Sequence, residues 1–130
     1  MDSIKIAPDI PEEELARIAI SIHHALGGMP IMMKSRGNAG VLVEDGDILI
    51  AARECQALDC VFSGEGVRRI TLEYGRHAGI TMFAAAIESR NGLRVAAIGI
   101  IDTLGMLSLR GLVSDNVNVD KQLHDLGPWQ

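Results

Sequence analysis

Two apolar segments around Asn91-Gly92 form the strongest hydrophobic pattern in the chain. Met82–Ile87 and Val95–Ile101 are nearly continuous apolar runs, which is typical of strands that are covered on both faces of a sheet. Asn-Gly is the dipeptide that best supplies the positive φ angles of a two-residue type I′ turn. The pattern therefore predicts a buried hairpin, Thr81–Asp102, in the middle of a sheet.

A helix is predicted near the start of the chain. Its apolar residues recur every three or four positions, at Leu15, Ile18, Ala19, Ile22 and Leu26. Asp9 can cap the helix, Pro11 suits its first turn, and Glu12 can complete a capping box. Gly27-Gly28 is expected to end it.

Shorter segments complete the predicted sheet, and they are Met29–Ser35, Val41–Glu44, Ile48–Ala52 and Arg69–Tyr74. Asp45-Gly46 predicts a second two-residue hairpin turn. Arg53–Phe62 fits a short helix with Cys55 and Leu58 facing inward. Residues 3–7 are compatible with a short leading strand, and Leu104–Leu112 with a last helix.

Neighbouring strands joined by tight turns predict an antiparallel sheet, with the helices gathered on one face or end. We therefore expect an α+β fold with about five to six strands and flanking helices, of the kind seen in PAS, GAF and profilin-like domains. No repeat or long linker divides the chain, so residues 1–130 are predicted to form a single domain. Residues 117–130 form either a final short helix or a loosely docked tail.

Composition limits the classes of partner. The net charge of −5 argues against nucleic acid, because phosphate binding needs a concentrated positive surface. No apolar run reaches the roughly 18 residues that span a bilayer, so no membrane partner is expected. Two cysteines are too few for a secreted disulfide framework, which favours a cytoplasmic protein. Gly64-Glu65-Gly66 lacks the remaining residues of a nucleotide-binding loop, and we expect no cofactor.

Three runs of residues resemble a small archaeal family, known mainly from methanogens, whose function is unassigned. They are Met33-Lys34-Ser35-Arg36 followed by Gly40-Val41, Val43-Glu44 and Gly46; Tyr74-Gly75 followed by Gly79-Ile80; and Ala96–Asp102. The match runs from the first helix to Asp102. The last run also resembles the closing strands of PAS- and GAF-type sensor domains. The resemblance implies a sensor-like fold and supplies no reaction.

Two arginines form the candidate ligand site. Arg36 and Arg76 each lie in a glycine-containing loop, and if these loops meet at one edge of the sheet the guanidiniums can clamp a carboxylate or phosphate. The alternative is two solvated arginines in turns. The neighbouring residues complete the predicted ligand-binding set, and they are Ser35, Asn38, His77 and Asp102. Asp102 is expected to cap the following turn rather than to act as a general base.

Histidine and cysteine spacing argues against a metal site. His23 and His24 are adjacent, so on a helix they point about 100° apart and do not chelate one ion. Cys55 and Cys60 match neither a redox pair nor a zinc motif, and a free cysteine is commonly a small buried apolar residue. A nucleophilic Cys55 with His77 as its base stays open as an alternative.

These observations lead to three hypotheses of different class. The first is a non-catalytic sensor-like or regulatory module that binds a small anionic ligand and forms a homodimer through an apolar sheet face or helix. The second is a small enzyme that uses Cys55 or His77, with Arg76 stabilising an anion. The third is a structural subunit of a larger complex.

Overall fold

The computed structural model describes residues 6–105 and Leu107. These residues form six strands, one α-helix and one 3₁₀ helix, in the order α1 (Glu12–Ala25), β1 (Ile31–Ser35), β2 (Val41–Glu44), β3 (Asp47–Ile50), η1 (Arg53–Phe62, the 3₁₀ helix), β4 (Val67–Thr71), β5 (Thr81–Glu88) and β6 (Arg94–Ile101). All strand pairs are antiparallel. The predicted α+β class and the strand number are confirmed.

The sheet consists of two three-stranded meanders joined side by side. Its strand order is β3-β2-β1-β6-β5-β4, so each meander is built from consecutive strands. The meanders meet where β1 pairs with β6, from Ile31 beside Ile100 to Ser35 beside Ala96. The hairpin of β5 and β6 therefore lies inside the sheet, as predicted, and β3 and β4 are its two edges.

Each face of the sheet carries its own apolar core, and this corrects the expectation that the helices gather on one face or end of the sheet. Helix α1 covers one face with a cluster that includes Leu15, Ala19, Ile31, Met33, Val41 and Val43. The 3₁₀ helix η1 covers the opposite face with a cluster that includes Met32, Leu42, Cys55, Leu58, Val61 and Met82. Successive residues of β1 and β2 point to opposite faces of the sheet, and both faces are covered. Both strands therefore consist largely of consecutive apolar residues.

The start of α1 differs from the prediction. Pro11 is the N-cap residue and no side chain caps the helix. Asp9 lies two residues before the N-cap, too early to cap, and Glu12 Oε2 accepts a hydrogen bond from the Ala39 N–H at 3.2 Å instead of closing a capping box. Three glutamates in the first turn still favour the positive end of the helix dipole. The helix stops before Gly27-Gly28, as predicted.

One of the two predicted hairpin turns is confirmed and the other is of a different type. Asp45 (φ 51°) and Gly46 (φ 78°) both have the left-handed conformation that a type I′ turn requires. At the second turn Gly92 alone is left-handed, and the Gly92 N–H bonds to Ser89 O at 2.9 Å. This is a three-residue loop, and the Asn91 side chain accepts hydrogen bonds from Ser89 Oγ and the Leu93 N–H.

Two further boundaries follow from local geometry. The predicted short helix Arg53–Phe62 is a 3₁₀ helix, in which every third residue lies on the same side, so Cys55, Leu58 and Val61 are buried together. Strand β4 ends at Thr71 rather than Tyr74, because Leu72 already bonds to both Gly79 and Ile80 in the turn that follows. The leading strand at residues 3–7, the last helix and the tail 117–130 lie largely outside the described residues. Neither helix of the described part has the length and apolar character needed to cross a bilayer.

Candidate functional site

The register of the sheet separates the two predicted arginine loops. Arg36 follows Ser35, the last residue of β1. Arg76 contacts Glu44, the last residue of β2, and β2 runs antiparallel to β1 with its end beside Ile31. The two guanidiniums therefore lie at opposite ends of the strands and do not form one clamp.

At the end of β1 where Arg36 lies, the predicted ligand-binding side chains form hydrogen bonds to backbone carbonyl groups of other segments. Ser35 Oγ and Asn38 Nδ2 both donate to the carbonyl oxygen of Ile10, at 3.4 and 2.6 Å. Arg36 Nε donates to the carbonyl oxygen of Arg94 at 2.9 Å, and its guanidinium lies over the Phe62 ring, 4.9 Å from the centroid. These contacts use the polar groups of the site internally, which favours a structural role.

At the opposite end, the loop after β4 is fastened to β2. His77 Nε2 lies 2.6 Å from Glu44 Oε2, and both side chains are nearly buried. Arg76 bonds to Asp45 at 2.9 Å and approaches Glu44 at 3.8 Å, but it is largely exposed. Because this loop starts at β4 and reaches β2 across the end of the sheet, the His77–Glu44 pair ties the two meanders together.

Asp102 lies buried at this same end of the sheet. Its N–H bonds to the carbonyl oxygen of Thr81 at 2.9 Å, and its Oδ1 accepts a hydrogen bond from the Leu107 N–H at 3.4 Å. The second contact resembles the predicted capping of the following turn.

The chemistry of Cys55 does not favour a nucleophile. Its side chain is fully buried on η1. Burial, helped by the charge of Glu54 and partly opposed by that of Lys34, raises the pKa of the thiol to about 12. The thiol therefore stays protonated near neutral pH, whereas the thiolate is the reactive form. His77 is engaged with Glu44, so the predicted Cys55–His77 pair has no structural support.

Of the two adjacent histidines of α1, His23 is held by backbone groups on both sides of its ring. His23 is buried, with Nδ1 2.9 Å from the carbonyl oxygen of Met29 and Nε2 accepting a bond from the Gly46 N–H at 3.1 Å. Both ring nitrogens are thus used by the backbone. Across residues 6–105 and 107, no group of three or more His, Cys, Asp and Glu side chains is arranged to hold a metal ion.

A groove of about 570 Å³ runs between η1 and the edge strand β4. Its walls are formed by Glu54, Gln56, Ala57, Asp59, Cys60 and residues 68–74. Four residues join the end of η1 to the start of β4, and Tyr74 Oη, beyond the end of β4, donates to the carbonyl oxygen of Arg53 at the start of η1 at 3.5 Å. The two elements therefore run in opposite directions. Cys60 at the end of η1 therefore faces Arg68 at the start of β4, and Glu54 at the start of η1 faces Tyr74. The groove has a basic end and an acidic end.

This groove was not predicted from the sequence. The alternation in β4 places Arg68 on the same side as Ile70 and Leu72, the side that η1 covers. That alternation was visible in the sequence. The position of η1 alongside β4 was not, because it depends on the packing of Leu58 and Val61 against the sheet.

The geometry defines a small α+β domain with a groove beside one edge strand. A family profile described as "Uncharacterized protein conserved in archaea (DUF2111)" matches residues 22–104, which is more than half of the chain. The chain belongs to this family, and the predicted resemblance to an archaeal family of unknown function is confirmed.

An uncharacterized protein of Methanocaldococcus jannaschii, MJ0405, is a relative. It is 28% identical over 99 residues, which cover 76% of this chain and 75% of the relative. No solved structure matches the chain.

Proposed function

We propose that this chain is a non-catalytic, sensor-like binding module whose ligand is a small anionic molecule held in the groove between η1 and β4. The observation that carries the proposal is the composition of this groove. Its volume of about 570 Å³ lies in the range of small-molecule sites. Ala57, Cys60 and Ile70 supply apolar wall, and charged side chains lie at its two ends.

Arg68 is the residue we expect to bind the anionic group. It shares the η1 side of β4 with Ile70, and within the described residues it has no ion-pair partner. A guanidinium offers two parallel N–H donors, which suit the two oxygens of a carboxylate or phosphate. The anion would therefore lie at the Cys60 end of the groove.

The acidic end narrows the class of ligand. Glu54 and Glu73 lie there, and neither carboxylate forms an ion pair within the described residues, whereas Asp59 is paired with Lys34. A simple dianion would be repelled by this end. A ligand with an anionic group, a short apolar body and a cationic group, such as an amino acid, matches both ends.

The sensor-like part of the proposal is supported by the arrangement of the sheet. The first and last strands, β1 and β6, lie side by side in its centre, with a hairpin outside each of them. The PAS/GAF/profilin-like expectation, which came from neighbouring strands joined by tight turns and from flanking helices, is retained as part of this proposal.

Thermal-shift measurements followed by calorimetric titration test the proposal. The panel contains zwitterionic amino acids, dicarboxylates, inorganic phosphate and primary amines of similar size. We expect the zwitterions to raise the melting temperature, because a ligand that binds the native state stabilises it by mass action. Arg68→Ala should weaken their binding about tenfold, which is the loss expected for one charge-assisted hydrogen bond.

Arg90→Ala is the matched control. Arg90 is exposed in the loop between β5 and β6, away from the groove, and its replacement changes the net charge by the same amount. Equal binding by the Arg68 and Arg90 variants would rule out the groove. If no member of the panel stabilises the wild-type chain, the ligand class is wrong.

A further inference from the structure

The edge strand β3 exposes large apolar side chains along its whole central part. Ile48 and Leu49 are each 43% exposed and Ile50 is 56% exposed. An edge strand with unpaired backbone groups and apolar side chains readily pairs with another strand, and native edges are usually protected by charges, proline or bulges. Ile48, Leu49 and Ile50 have none of these protections.

Two observations identify which residues of β3 direct their backbone N–H and C=O groups away from the sheet. The two-residue turn makes Glu44 and Asp47 a hydrogen-bonded pair, and the Ala51 N–H bonds to Gly40 O at 2.7 Å. Hydrogen-bonding direction alternates along a strand, so Asp47, Leu49 and Ala51 direct their groups toward β2. Ile48 and Ile50 consequently direct both N–H and C=O away from the sheet.

We propose that β3 pairs antiparallel with β3 of a second copy of this chain, around a two-fold axis at Leu49. In this register Ile48 of each copy lies opposite Ile50 of the other. Each of these two pairs exchanges two hydrogen bonds, so the outward N–H and C=O groups of Ile48 and Ile50 are all paired. An axis at Ile48 or Ile50 would form only two of these bonds between the same residues. The result is a continuous twelve-stranded sheet with isologous symmetry.

The side chains fit the same register. Ile48 and Ile50 pair with Val43 and Val41, so they lie on the α1 face, where four isoleucines of the two copies meet. Leu49 lies on the η1 face and faces Leu49 of the second copy. Asp47 lies opposite Ala51 of the second copy, so the acidic residues do not oppose each other. The register therefore pairs the outward hydrogen-bonding groups without placing like charges opposite each other.

Sedimentation or light-scattering measurements on the full chain across a concentration series test the proposal. The wild type should show a reversible dimer of twice 14.0 kDa. Leu49→Lys should shift it to monomer, because the axis would bring two like charges together. Ile50→Pro should have the same effect, since it removes an outward N–H and no bond to β2. Val67→Lys, at the exposed start of β4, is the control that should leave the dimer unchanged.

Cysteine cross-linking tests the register. In a Cys60→Ala background, Leu49→Cys should form an intermolecular disulfide on mild oxidation, because residues opposite each other at such a non-hydrogen-bonded position have Cα atoms about 4.5 Å apart. Ile50→Cys, which does not face itself across the axis, should remain uncrosslinked. Circular dichroism identifies any variant that fails to fold.

Three results would overturn the proposal. They are a wild-type chain that is monomeric at every concentration, a dimer that persists in both Leu49→Lys and Ile50→Pro, and cross-linking of Ile50→Cys in preference to Leu49→Cys. The groove beside β4 takes no part in this contact, so ligand binding and dimer formation succeed or fail separately.

Discussion

The two meanders of the sheet share one plan and differ at their outer edges. Each has three consecutive antiparallel strands, and their inner strands, β1 and β6, pair with each other. The outer strand β3 has the sequence Asp47–Ile50, with three exposed apolar residues, whereas the outer strand β4 carries Arg68 and Arg69.

This difference suits the two edge strands to different kinds of binding. Charged side chains on β4 disfavour pairing with another strand, and η1 beside it creates a groove of small-molecule size. β3 instead exposes the apolar side chains of Ile48, Leu49 and Ile50. In the proposals above β4 binds the ligand and β3 binds a second copy. Three sets of variants compare the two faces of the sheet, the contact that joins the meanders, and the two hairpins.

The largest effect is expected from truncating one buried leucine on each face. Leu58→Ala under η1 and Leu15→Ala under α1 each remove a fully buried side chain, and each should lower the free energy of unfolding by about 2–5 kcal/mol. Urea unfolding measures both. Only Leu58→Ala should increase the rate at which a thiol reagent labels Cys60, because only η1 holds that residue. Equal acceleration by Leu15→Ala would contradict the independence of the two faces.

A smaller effect is expected at the contact that ties the loop after β4 to β2. His77→Ala leaves the nearly buried Glu44 carboxylate with only a distant partner, and should cost about 1–3 kcal/mol of unfolding free energy. Arg76→Ala removes a mostly exposed ion pair and should cost less than about 1 kcal/mol. The two variants are compared by thermal and urea unfolding. A larger loss for Arg76→Ala would mean that the exposed pair, not the buried one, joins the meanders.

A third comparison concerns the two hairpin glycines, whose replacement is expected to have a smaller effect than that of the buried leucines. Gly46→Ala and Gly92→Ala each place a side chain in a left-handed conformation, in open space, and should each cost about 1–2 kcal/mol. Only Gly46→Ala distorts the turn that presents β3, so only this variant should weaken the proposed dimer in sedimentation. Weakening by Gly92→Ala to the same degree would show that the dimer responds to general stability rather than to the β3 edge.

Much of the fold could be predicted because local pattern and final structure agree. The six strands, the α1 stripe and the Asp45-Gly46 turn each follow from a few neighbouring residues. The type of the second turn was mispredicted because the Asn91 side chain is itself a hydrogen-bond acceptor, and its bonds with Ser89 and Leu93 favour a longer loop.

The candidate site was harder to predict because it depends on contacts between distant segments. Arg36 and Arg76 both follow the pattern of a loop arginine, and only the register of β1 with β2 shows that they lie at opposite ends. Arg68 was not predicted as a site residue, because nothing in the neighbouring sequence reveals that η1 packs beside β4. Local pattern also does not show on which side of the sheet each helix packs, and this is why both helices were expected on one face or end of the sheet.

The central pairing of β1 with β6 has a consequence for the order of folding. Each meander contains mostly local contacts and can form early, but the strands that join them stand near opposite ends of the described chain. Closing such a long loop is entropically costly, and non-local pairings of this kind slow folding. During synthesis the side of β1 that pairs with β6 would therefore remain unpaired until β6 has left the ribosome. A chain halted in that interval has two open edges on one short sheet, and this is the state most exposed to aggregation.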